Sequence, residues 1–146
     1  MTTLSYLHLA PGEIPSEDDL GPHRAVVVIE SPVTDAWRGA ISAWLVRSGC
    51  LYMMAWGLDC SKWDDSVDSA NLEEFDYGEI PDEKFVMTTW HERGPLAEVF
   101  WFAQHCADHP TVELTRTLIV DVSSSDRQDE ILEAYRLARD GDQLDA

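Results

Sequence analysis

Four aspartates, Asp59, Asp64, Asp65 and Asp68, fall within ten residues of one another. On a helix, Asp64 and Asp68, or Asp65 and Asp68, share a face through their spacing of four or three. Carboxylate oxygens of this kind suit a hard cation such as Mg²⁺. Glu30 completes a candidate metal set of Glu30, Asp64 and Asp65, with Asp59 alongside. His91 supplies the other half of that chemistry, because an imidazole can take the proton of a metal-activated water. A metal-assisted hydrolase or phosphoryl-transfer enzyme would follow, with His91 as its catalytic acid–base. The plainer role of the same aspartates is to favour a helix macrodipole from its first turn. His91 also reads as an ordinary surface histidine, since Glu92 beside it points to the other face of a strand.

Cys60 lies just before a predicted helix N-terminus, a position that lowers a thiol pKa. Paired with His91 it would be a nucleophile, yet the surrounding carboxylates oppose a thiolate. A cysteine hydrolase is therefore disfavoured. Trp56, Trp63 and Trp90 fall near the same segments. Exposed, they form an aromatic platform for a ligand ring or a partner's side chain; buried, they cap the core. Several other chemistries are absent. There is no GxGxxG for a dinucleotide, no GxxxxGK[ST] for a nucleotide phosphate and no GxSxG elbow. A receiver-like phosphorylation site would want paired acids after the first strand and an aspartate after the third. Those places hold Glu30 alone and Thr88-Thr89. Ser123-Ser124-Ser125 at a helix start reads either as an anion cradle or as an ordinary cap.

The elements that must position these residues repeat one grammar from residue 24 onward: apolar run, polar turn, amphipathic stretch. Ala25–Ile29 is a continuous β-branched run suited to a strand buried on both faces. Ser31-Pro32 reads as a cap opening a helix, Trp37, Ile41, Trp44 and Leu45 share its inner face, and Gly49 ends it. Cys50–Trp56 is a second strand, broken by Gly57, and Ser61–Asp64 fits a capping box opening a short helix with Trp63, Val67 and Ala70 inward. Phe85–Trp90 is a third strand. A third helix follows Gly94-Pro95, with Leu96, Val99, Phe100, Ala103 and Cys106 inward. Thr117–Val122 is a fourth strand, and Ser125–Gln128 opens a last helix carrying Ile131, Leu132, Tyr135 and Ala138.

Strand alternating with helix predicts right-handed crossovers and a mostly parallel four-stranded sheet in a three-layer α/β/α domain. The simplest strand order is the flavodoxin-like 2-1-3-4. The whole chain, 1–146, reads as one domain, with 1–23 as an N-terminal extension that offers Leu4–Leu9 as an edge strand and 141–146 as a frayed tail. Ligands of such sheets bind outside the carboxyl ends of the strands, where strand order reverses. The ligand or partner-binding candidates on that edge are Glu30, Asp59, Cys60, Trp63, Asp64, Asp65, Trp90 and His91.

Composition limits what that edge can meet. With 28 acidic against 10 basic residues the formal charge is −18. Such a field repels nucleic acid and anionic membranes and steers a basic partner inward, or it serves solubility alone. Three cysteines without a CxxC argue against a disulfide framework or a structural zinc. The opening residues lack a basic region followed by an apolar stretch, which predicts neither signal peptide nor membrane anchor and makes the cytoplasm the default.

The run Gly49–Gly57, followed by Cys60, Trp63-Asp64-Asp65 and Val67-Asp68, resembles an uncharacterised family of small bacterial proteins. Val86–Glu92 and then Glu98–Phe102 look like that family's second motif, so the resemblance spans residues 25–122. It implies no activity. Two functions are therefore expected from the residues themselves. One is a binding or regulatory module engaging a basic protein partner or small ligand, such as an inhibitor of a basic toxin, without a cofactor. The other is the Mg²⁺-dependent enzyme above.

Overall fold

Strands with apolar side chains at nearly every position need cover on both faces, and they are best paired along both edges. Ala25–Ile29 and Leu118–Val122 are such strands, and in the computed structural model, which describes residues 3–141, they lie side by side in the middle. In chain order the elements are β1 (Thr3–Leu9), β2 (His23–Ile29), α1 (Asp35–Ser48), β3 (Cys50–Gly57) and α2 (Cys60–Glu74). Then come β4 (Met87–His91), α3 (Leu96–His105), β5 (Arg116–Val122) and α4 (Gln128–Ala138). The sheet runs β1-β5-β2-β3-β4, and every neighbouring pair is parallel.

The α/β class, the parallel sheet and the three layers agree with the sequence. The order does not. Among the described residues there are five strands rather than four, because residues 3–9 pair with β5 along their whole length. The four strands anticipated from apolar runs lie in the order fourth, first, second, third instead of 2-1-3-4. Burial explains this. Met87-Thr88-Thr89-Trp90-His91 carries polar side chains on both faces and suits an edge, whereas the apolar β5 requires two flanking strands.

Helices α1 and α2 cover one face, packing Ile41, Leu45, Trp63 and Val67 on Val27 and Met53. Helices α3 and α4 cover the other, with Phe100, Ala103, Ile131 and Tyr135 on Val26 and Ile119. Residues 10–22 form a loop held against the body of the fold. They carry the chain from β1 over to β2, and the indole N–H groups of Trp37 and Trp44 donate to Glu13 O and Ser16 O, each at 2.8 Å.

Several boundaries move for local reasons. Thr34, not Ser31, caps α1, its hydroxyl accepting from Trp37 N at 3.1 Å. The α2 helix starts at Cys60 and runs fifteen residues, so Ser61 is inside it rather than its cap. Strand β4 begins at Met87 because Asn71 captures the preceding backbone, donating to Lys84 O at 3.1 Å and accepting from Val86 N at 3.0 Å. Cys106, expected in the core, is exposed. Most of the tail, 142–146, lies outside the described residues. Among the described residues no helix is long and apolar enough to cross a membrane.

Candidate functional site

Because all five strands run the same way, their carboxyl ends share one rim. The order reverses between β2 and β5, and a charged cluster fills that crevice. Arg127, just before α4, donates to Asp121 through Nη2 at 2.6 Å and Nε at 3.2 Å, and to Glu30 Oε2 through Nη1 at 2.7 Å. Asp121 is fully buried and also accepts from the Tyr6 hydroxyl at 2.6 Å. Burial, and then the bond to Asp121, push the Tyr6 hydroxyl far above its ordinary pKa. Asp121 has three donors and Arg127 two acids, so the charges of the crevice are satisfied by one another. Sequence reading missed both residues. The signal was an aspartate inside the apolar run Leu118–Val122, since a buried carboxylate demands a partner.

The second half of the rim follows β3. Gly57 has φ 108°, and a Cβ there would collide with the Ile29 carbonyl that accepts from Leu58 N. This close approach turns the chain through exposed, left-handed Asp59 into α2. Cys60 then points inward and is buried. Its thiol is pushed up by burial, then by the Glu92 charge. No thiol–imidazole dyad forms. Trp63 is wholly buried with its ring edge-on to Trp37, so it belongs to the core.

Asp64 is 5% exposed, and among the described residues its Oδ2 has no hydrogen-bond partner. Burial, then the neighbouring charge of Asp68, raise its pKa, against which the nearby Thr88 hydroxyl works. Asp68 accepts from that hydroxyl at 2.8 Å, while Asp65 faces solvent. Thr88 therefore faces α2, and Trp90, two residues on, shares that face and is 51% exposed. His91 is on the opposite side with Thr89, whose hydroxyl lies 3.0 Å from its Nε2, and its ring meets Phe102 edge-on. Burial lowers the imidazole pKa, with Glu98 opposing.

The sheet thus separates His91 from Asp64, and Glu30 is turned toward Arg127. The expected ligand set of Glu30, Asp64 and Asp65 is not assembled around His91. Among the described residues no three His, Cys, Asp or Glu side chains converge to hold a metal ion. A family model for Domain of unknown function (DUF7684) matches residues 4–138. The chain belongs to that family. No curated protein and no solved structure matches it.

What the DUF7684 fold does bring together is Asp64, Asp65, Asp68 and Trp90 along α2 and β4. A groove of about 330 Å³ continues from them, lined by Asp68, Leu72, Ile80, Phe85, Met87 and Thr88. Leu72 and Phe85 are 41% and 47% exposed there. Carboxylates thus lie beside uncovered apolar side chains along this surface.

Proposed function

We propose that this chain is a non-enzymatic binding module of the bacterial cytoplasm that engages a basic protein partner along α2 and β4. The observation that carries the reading is the coincidence of charge and exposed aromatic surface there. Between Gly57 and Glu92 eleven acidic residues accompany only Lys62 and Lys84, a net −9 of the chain's −18. Trp90, Phe85 and Leu72 are exposed in the same stretch. Apolar anchors ringed by one sign of charge make a surface for a partner of the other sign: the field sets encounter and the anchors set residence.

Calorimetric titration with a hexa-arginine peptide tests this against plain attraction to a negative protein. The double reversal Asp65→Lys/Asp68→Lys is expected to weaken binding about tenfold or more, beyond the general loss of charge. Asp18→Lys/Glu113→Lys changes net charge equally at the opposite end of the strands and is expected to cost less than about threefold. Equal losses would refute a defined surface.

A further inference from the structure

We propose that β4 receives an extended, basic segment of the partner as a sixth strand of the sheet. This rests on the binding reading above and states how the partner is held. Strand β4 pairs with β3 alone, and among the described residues none of its backbone groups bonds to any other backbone outside the sheet. Proteins ordinarily blunt such an edge with Lys, Pro or a bulge. Met87–His91 has none of these, and its Thr and Trp favour extended backbone.

The neighbouring acids select the occupant. A second copy would bring another −18 against the first and is repelled, whereas a cationic strand is attracted. An added strand lies about 4.8 Å from β4, and its alternate side chains stand over α2 beside Thr88 and Trp90. A Lys or Arg there meets Asp68, and behind it the buried Asp64 oxygen that lacks a donor. The other edge, β1, is flanked by α4 with a net charge of −2, whereas α2 beside β4 has a net −4.

The test uses the full chain with a blocked hexapeptide of alternating Arg and Val, read by calorimetry and by amide hydrogen exchange. Two further peptides are N-methylated on every Arg or on every Val. Only alternate amides of an added strand face its neighbour, so one methylated peptide is expected to lose about tenfold in affinity and the other less than about threefold. Amides within Met87–His91, and not those of β1, are expected to gain protection. If all three peptides bind alike with no new protection, strand addition is overturned while the acidic binding surface stands. Protection of Met87–His91 in the free protein, with the mass of two chains, would give the edge to a second copy and overturn the proposal. If no peptide binds, both readings fall.

Discussion

Replacing Arg127 by Met would leave Asp121 fully buried with only the Tyr6 hydroxyl to hold it. Two charge-assisted bonds, at 2.6 and 3.2 Å, disappear together with the ion pair to Glu30. Stranding one member of a buried pair costs about 3–5 kcal/mol. For a chain of this length that lowers Tm by roughly 10–15 °C. Arg127→Met/Asp121→Leu, which deletes both charges, should recover most of the stability, since an apolar pair of similar volume is often neutral or better. Urea unfolding of the single and double variants at pH 7 measures this. A single-variant loss below about 1 kcal/mol, or a double variant worse than the single, would refute the crevice as a buried ion-pair lock.

Gly57→Ala should destabilise by about 2 kcal/mol or more, because φ 108° and the Ile29 carbonyl both exclude a Cβ; unchanged urea stability would contradict this. Asp64 has a raised pKa, so it favours the fold below the ordinary value of 3.8 and that contribution is lost as pH rises through its folded value. Asp64→Asn should therefore raise Tm at pH 7 and gain nothing at pH 3, and a lower Tm at pH 7 would contradict it. Burial depresses His23, with Arg116 adding to the effect and the Gly21 carbonyl opposing it. Its contribution is full above the ordinary 6.5 and is lost as pH falls through the folded value, so His23→Asn should flatten the decline in stability between pH 7 and pH 5. An identical slope in the variant would count against it.

The apolar runs disclosed the three inner strands, because their burial is written in continuous β-branched residues. They could not disclose the order, which depends on where the α3 crossover returns the chain; only the polar character of Met87–His91 hinted that it belonged at an edge. The candidate residues were legible as a rim but not as a site. Trp63 and Trp90 carry the same side chain, and the sheet register and helix phase decide that one is core and the other surface. Asp64 and His91 came from neighbouring segments, yet the two faces of β4 part them. Cys106 fell on an apolar helix face but sits past the last turn of α3, in solvent. Asp121 was passed over because its neighbours are apolar, which is why its carboxylate needed Arg127.

Backbone amide shifts of the ¹⁵N-labelled protein, followed while the Arg-Val peptide is added, test most directly whether the working surface is α2 and β4. Saturable shifts are predicted at Asp64–Asp68 and Met87–Glu92, with Glu30, Asp121 and Arg127 unmoved. Shifts centred on the β2–β5 crevice, or spread evenly over the acidic surface, would contradict the account.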